Sequence, residues 1–380
     1  MLTFRRAVLV AGCILTLFLL FGGSKTDRLA TLENKLRDTE RSLESTLREL
    51  QQSSDSNTAK FDKAIGNLDA QRKILQYEVR ELRKLPDPDA SIVEQLSYQY
   101  PYSREAPFPA FVWQTWKNDF YDDSIDPSIK QLMEGWRSIN VDFVHEVFSD
   151  SQAERAIKKW YGNIPKVVEA YTTMPDVILK ADFFRYLVLF AMGGVYSDAD
   201  TEILKPTPNW LPNTLSPEDV GLVVGIEADP DRPDWKDWYA RRVQMCQWTI
   251  QAKPGHPVLR SVIAKITETT LSRKRNGQLA LTATGNDRGG DILEWTGPGI
   301  WTDTLFEYFN SPKVNAPEVI DYKYFTGMTG AKIVGDVLIL PITSFSPGVG
   351  HMGSKGVSDP IAFVKHHFEG SWKPQSERMI

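Results

Sequence analysis

The chain has 380 residues, 42% hydrophobic and 11% aromatic, enough to bury one large core or two small ones. A net charge of −5 excludes the global basic field that a nucleic-acid partner requires. Two cysteines exclude a disulfide framework, and Cys246, alone in the main body, reads as a buried small hydrophobe.

Arg5-Arg6 close a short tail, 1–6, and precede an uncharged apolar run over 7–23. As a helix this run spans about 25 Å, the short end of what crosses a bilayer. It is long for a signal-peptide core and lacks an A-x-A-like cleavage site, so it reads as an uncleaved anchor rather than a cleaved leader. The basic pair keeps the N-terminal end cytosolic, which makes a single-pass type II topology with everything downstream lumenal. A short span suits the thinner membranes of the early secretory pathway.

Residues 24–95 then read as a helical stem. Leu29, Leu32, Leu36, Leu43 and Leu50, and after a polar break Phe61, Ile65, Leu68, Leu75, Val79 and Leu82, follow 3-4 spacing. Each run is about three heptads, the lower limit for a coiled coil, so a parallel homodimeric stem competes with a charged flexible one. Leu85-Pro86-Asp87-Pro88 ends it, because proline disfavours helix in the residue before it.

Residues 96–380 carry the aromatics of a globular domain. Strands are predicted at 108–117, 141–145, 195–197 and 221–226, and helices at 127–139, 151–161, 176–192 and 258–271. This alternation predicts an α/β sandwich with a mostly parallel central sheet. In such sheets ligands bind beyond the carboxyl ends of the strands. There the apolar stretch before Gly193-Gly194 leads into Val195-Tyr196-Ser197-Asp198-Ala199-Asp200. In an extended backbone Asp198 and Asp200 share a face and converge on one hard cation, Mn²⁺ or Mg²⁺, with a diphosphate beside it. Asp182 and Arg185 stand three apart on one side of the preceding helix; an Asp accepting sugar hydroxyls beside an Arg reaching a diphosphate suits a nucleotide-sugar donor. By itself this pair reads first as a local ion pair, since such pairs are common on helices.

Taken in order, W-Q-T-W-K from Trp113, K-A-D-x-x-R-Y from Lys180, G-G-V-Y-S-D-x-D-T from Gly193 and H-H-F-x-G-S-W from His366 resemble glycosyltransferase family 32. The later segments, Trp238 to Arg242, Cys246 to Pro257, Glu294 to Gly299 and Pro341 to Gly353, narrow the resemblance to its fungal initiation-specific α-1,6-mannosyltransferases. The resemblance covers residues 105 to 378. It implies a GT-A fold, a GDP-mannose donor, Mn²⁺ dependence, retention of configuration, an N-glycan acceptor on glycoproteins and an early Golgi location. It places Asp182, Arg185, Asp198 and Asp200 in catalysis, the last two on the metal. It assigns Gln114, Thr115 and Trp116 to the nucleobase end of the donor, with Gly194 and Tyr196 nearby, and Ser371 and Trp372 to a segment folding over the phosphates. Ala199 stands where many relatives carry a bulkier aliphatic.

Of the five histidines, His145 and His256 read as packing residues. His366 and His367 alternate faces if extended, so one of the two at most points at the metal. Trp295, Thr296 and Gly297, with His351 in its glycine-rich loop, are expected on the acceptor side, where a sugar face stacks on an indole. The sequence carries no N-x-S/T sequon. Two further readings stand beside the initiating enzyme. One is a paralogous α-mannosyltransferase subunit of a mannan-elongating complex; the other is a non-catalytic Golgi scaffold, against which the intact Asp182, Arg185, Asp198 and Asp200 count.

Overall fold

The computed structural model describes residues 25–52, 65–76, 89–230, 232–281, 290–314 and 316–369. The apolar run 7–23 lies outside them, as do Ser371 and Trp372. No helix among the described residues is long and apolar enough to cross a membrane. The chain divides into two compact units, residues 1–87 and 88–380.

The first unit contains helix α1 (Lys25–Gln52) and a second helix, α2, over 65–76. The first helix spans the first leucine-spaced run, and the second lies inside the second run, whose Phe61, Val79 and Leu82 are outside the described residues.

The second unit opens with α3 (Ile92–Gln99), held by a capping box between Ser91 and Glu94. Ile92 and Leu96 are buried in its main core. This turn of chain therefore belongs to the globular unit, although the stem was expected to run to 95.

The elements then follow as β1 (Phe111–Trp116), α4 (Pro127–Ile139), β2 (Val144–Ser149), α5 (Asp150–Trp160), α6 (Pro165–Thr173), α7 (Val177–Met192), β3 (Gly194–Ser197) and β4 (Thr201–Ile203). After them come β5 (Leu222–Ala228), β6 (Gln244–Met245), β7 (Thr249–Ala252), α8 (Pro257–Arg275), α9 (Gly290–Trp295), α10 (Pro298–Phe309), β8 (Lys332–Val334), β9 (Val337–Leu340), α11 (Ile342–Phe345) and β10 (Val364–His366). Local chemistry explains several boundaries. Asp126 caps α4 through Ser128 N–H with Pro127 in the first turn, and Asp176 caps α7 through Ile178 N–H. The strand expected at 141–145 starts three residues later. Val144 N–H takes the Ala110 carbonyl and Phe111 pairs with Val144, while Val141 stays exposed.

The sheet order is β2-β1-β3-β7-β5-β9-β8, with β6 on β5. Strands β2, β1, β3, β5 and β9 point the same way, while β7 is inserted antiparallel between β3 and β5. The result is a mixed α/β fold with a mostly parallel central sheet.

Alternate residues serve opposite layers. Trp113, Tyr196, Val224 and Ile339 face a core that includes residues of α7, α8 and α10. Val112, Val195, Val223 and Leu338 face a smaller core containing Trp136, Trp210 and Phe345. Helix α7 is apolar almost all round and buried accordingly.

Candidate active site

Between α7 and β3 the chain turns in two residues. Gly193 and Gly194 have φ of 66° and 93°; a Cβ would lie 2.6 Å from Pro254 at the first and 2.7 Å from the Phe111 carbonyl at the second. Only glycine fits this turn, which drives β3 against β1. Gly194 thus acts through backbone packing, and no side chain could be added there to meet a donor.

The two aspartates are not on one face of a strand, as the i, i+2 spacing suggested. Asp198 leaves β3 with its N–H on the Trp248 carbonyl (2.8 Å), and residues 198–201 form a turn closed by Thr201 N–H to Asp198 O (3.2 Å). Ala199 is buried against Ile125, Ile129 and Met133. A small residue packs there while both carboxylates swing to the rim.

Around them an ordered set of partners converges. Arg185 Nη2 donates to Asp198 Oδ1 at 3.1 Å and its Nη1 to Asp182. Asp182 also accepts from Thr296 Oγ1 (3.0 Å) and Gln247 Nε2 (3.2 Å). Tyr196 donates its hydroxyl to Asp198 Oδ1 at 2.9 Å and lies 3.2 Å from Thr115 Oγ1. Asp182 and Arg185 are 2% and 3% exposed, so this is a buried pair rather than a surface one. Burial opposes the guanidinium charge, but Asp198 and Asp182 outweigh it and keep Arg185 a firm cation. Its Nε has no hydrogen-bond partner.

The third strand of approach is distant in sequence. β10 pairs antiparallel with β4, His366 opposite Thr201, which brings His366 Nε2 to 3.2 Å from Asp200 Oδ1. His367 alternates to the other side and meets Glu202 Oε2 at 3.0 Å. Phe368 then adopts φ 53°, rare for a side chain of its size, and Glu369 N–H reaches Asp200 Oδ2 at 3.1 Å. Burial would raise the Asp200 pKa; the His366 hydrogen bond and charge, with backbone N–H groups, outweigh it and lower it. Asp198, Asp200 and His366 offer donor atoms all within 4.8 Å of one another. Two carboxylates and an imidazole fit a divalent first-row cation better than a strictly oxygen-seeking one. Of the two histidines, His366 is the one placed for it.

Several expectations are revised by position. Gln114 is fully buried; its amide N donates to the Asp198 carbonyl (3.1 Å) and its Oε1 pairs with His145 Nε2 (2.8 Å). It braces the DxD backbone from a fully buried position rather than presenting its amide to a nucleobase. Burial, with Arg137 nearby, pushes the His145 pKa down to about 4, so that brace is neutral. Trp116 is half-buried beside the turn, its indole N–H without a partner. Trp295 is 1% exposed, donates to Thr270 Oγ1 (2.9 Å) and lies under the Arg273 guanidinium, so it offers no face to a sugar. Its neighbour Thr296 instead completes the Asp182 cluster. Gly297 caps α10 at a spot where a Cβ would meet Leu293 Cα at 2.7 Å. His351 is exposed in its loop, and among the described residues no hydrogen bond or ion pair joins it to Asp198 or Asp200.

The composition-based reading missed Gln247, Tyr186, Glu202 and Glu227. Tyr186 OH donates to Gln247 Oε1 at 2.7 Å and so holds the amide that holds Asp182. Glu227, at the carboxyl end of β5, had one visible signal: a lone charge ending the apolar run Leu222-Val223-Val224-Gly225-Ile226.

Residues 126–217 match the family model described as "Glycosyltransferase sugar-binding region containing DXD motif". With a buried arginine and paired aspartates at the strand ends, this makes the chain a glycosyltransferase. It is 51% identical over 313 residues to the "Initiation-specific alpha-1,6-mannosyltransferase" of Candida albicans, covering 79% of this chain and 80% of the relative. It is 43% identical to the protein of that name in Schizosaccharomyces pombe, covering 79% and 73%. Identity to a Saccharomyces cerevisiae glycosyltransferase, HOC1, is 42% over 80% and 73%. The chain belongs to glycosyltransferase family 32, alongside the fungal initiation-specific α-1,6-mannosyltransferases.

Proposed function

We propose that this GT-A enzyme transfers mannose from GDP-mannose, in α-1,6 linkage and with retention, to the N-glycan core of glycoproteins. Its setting is the early Golgi membrane, with residues 7–23 as a type II anchor, a stem between the anchor and the globular unit that begins at 88, and the catalytic unit in the lumen. The observation that carries the reading is the convergence of Arg185, Asp198, Asp200 and His366 on one point, in a chain half identical to a named mannosyltransferase.

Asp198, Asp200 and His366 would hold Mn²⁺, or Mg²⁺ in its place. A cation there supplies Lewis-acid neutralisation of the departing diphosphate. Arg185, already held by Asp182 and Asp198, adds a fixed positive group whose attraction grows as charge develops on the leaving oxygen. Its orientation needs no reorganisation, because both of its terminal nitrogens are engaged. Asp182, fixed by Thr296 and Gln247, orients mannose hydroxyls. Ser371 and Trp372 close over the phosphates. The stem associates as a homodimer.

A second reading is a paralogous α-mannosyltransferase subunit of a mannan-elongating complex, and identity does not choose between them, being 43% to the Schizosaccharomyces pombe enzyme and 42% to the protein named "Putative glycosyltransferase HOC1". The deciding experiment supplies GDP-mannose, Mn²⁺ and a core N-glycan, then maps the product linkage. A single α-1,6-mannose, abolished by chelator and restored by Mn²⁺, is expected. Transfer only to preformed mannan chains would move the assignment to the paralogue, and no transfer to either would sink both.

A further inference from the structure

Glu227 is an ionisable group at this rim that the reading above leaves without a task and whose Oε2 has no hydrogen-bond partner. It sits on β5, which runs parallel to β3 in direction, so its carboxyl end opens on the same edge as Asp198. Only β7 separates the two strands, which sets Glu227 about 10 Å along the edge from the aspartates, about the length of a bound sugar ring and its linkage. A β-bulge between Ile226 and Ala228, where β6 pairs with β5, breaks the regular ladder at this residue. Bulges of this kind re-aim a side chain.

The surroundings are built for a ligand that is not protein. Glu227 Oε2 is buried without a hydrogen-bond partner. So are Trp248 Nε1 and His366 Nδ1, and the rings of Trp248 and His366 lie 4.6 Å apart. Glu227 feels the charges of both His366 and Arg185. A buried carboxyl oxygen left without a partner is destabilising and persists where something else offsets it. The loop after β5 carries Tyr239, which senses the Glu227 charge, and next to it in sequence Trp238, which is 47% exposed with the Arg232 guanidinium over one face of its ring at 5.0 Å, leaving the other face for a sugar. An exposed indole beside a polar anchor is the surface a pyranose face stacks on.

We propose that the Glu227 carboxyl accepts a hydrogen bond from the attacking hydroxyl of the acceptor sugar, with Trp238 as the stacking platform behind it. This rests on the mannosyl-transfer reading and names its acceptor subsite. The donor is engaged from the α7 and β3 side, and the acceptor enters from the β5 side, so the two sugars meet in front of β7. Burial pushes the Glu227 pKa up to about 7, with Gln244, His366 and Arg185 pulling the other way.

The test compares Glu227→Met with Glu227→Gln in the full chain. Met removes a buried unpaired carboxyl, so Tm is expected to hold or rise while acceptor transfer falls roughly 30-fold at saturating donor. The Kd for GDP-mannose with Mn²⁺ should stay within about twofold, and Gln, which keeps an amide oxygen, should recover most of the transfer. Trp238→Ala should raise the acceptor KM alone. Wild-type transfer by Glu227→Met overturns the proposal. So does a matching loss of donor affinity, which would put the carboxyl on the donor, or a fall in Tm with no recovery by Gln, which would make it structural. The donor assignment has its own control, GDP-mannose consumption by the unaltered chain, in which no Glu227 variant takes part.

Discussion

Two clusters in the globular unit join an aspartate to a histidine, one at each end of the parallel strands. At the amino ends Asp336 accepts from Tyr102, from Tyr308 OH (2.6 Å) and from His256 Nε2 (3.3 Å), while His256 Nδ1 takes Val258 N–H. Burial alone would raise the Asp336 carboxyl; His256 and the two tyrosine hydroxyls outweigh it and hold it well below the usual carboxylate range. At the carboxyl ends Asp200 meets His366, but His366 Nδ1, Arg185 Nε, Trp248 Nε1 and Glu227 Oε2 have no partner. The same residue types make a staple where every atom is matched and a site where some are left over. Satisfaction, more than composition, separates scaffold from machinery.

That contrast can be broken at either end. Asp200→Ala should lower mannosyl transfer by about 10³-fold or more without lowering the Tm of the metal-free protein, measured by initial rates and calorimetry. A folded Asp200→Ala enzyme with normal turnover would remove the metal assignment. Asp336→Ala should do the opposite. It strands His256 and two tyrosine hydroxyls and is expected to cost about 3–5 kcal/mol of stability in denaturant titration, with turnover per folded molecule unchanged. A finer cut separates the neighbouring histidines. His366→Ala should weaken Mn²⁺ affinity roughly 10-fold, while His367→Ala, which loses only a contact with Glu202, should leave it nearly intact. Unchanged Mn²⁺ affinity in both variants would put both side chains outside the metal's reach, and an equal loss in both would remove the distinction between them.

What could be read from residue order alone was whatever local pattern encodes. The helix expected over 127–139 is α4 itself, and the switch from apolar helix to Gly193-Gly194 located β3 and the aspartates after it. Asp182 and Arg185 were visible as a pair because helical spacing is local. The pairings that finish the site are not local. β4 and β10 are three residues each, too short for periodicity to register, and their register depends on a partner far along the chain. Burial was equally illegible for single aromatics: Trp295 and Trp238 look alike in sequence, yet one is core and the other is exposed. The convergence of Asp198 and Asp200 was expected for a wrong reason, strand alternation, when a turn around the buried Ala199 brings it about.

The antiparallel pair β4–β10 has a consequence for the order of assembly. Asp200 and His366 stand 166 residues apart, so a chain still unfolded, or folded only through β9, holds two aspartates and no imidazole. Such a chain would grip a transition metal weakly, since two exposed carboxylates form no enclosed set of donors. On the proposed metal assignment, capture of an ion would come after the last strand has docked and would stabilise only the finished fold. Metal occupancy would then serve the cell as a certificate of completed folding: a molecule without β10 in place stays silent instead of spending donor sugar.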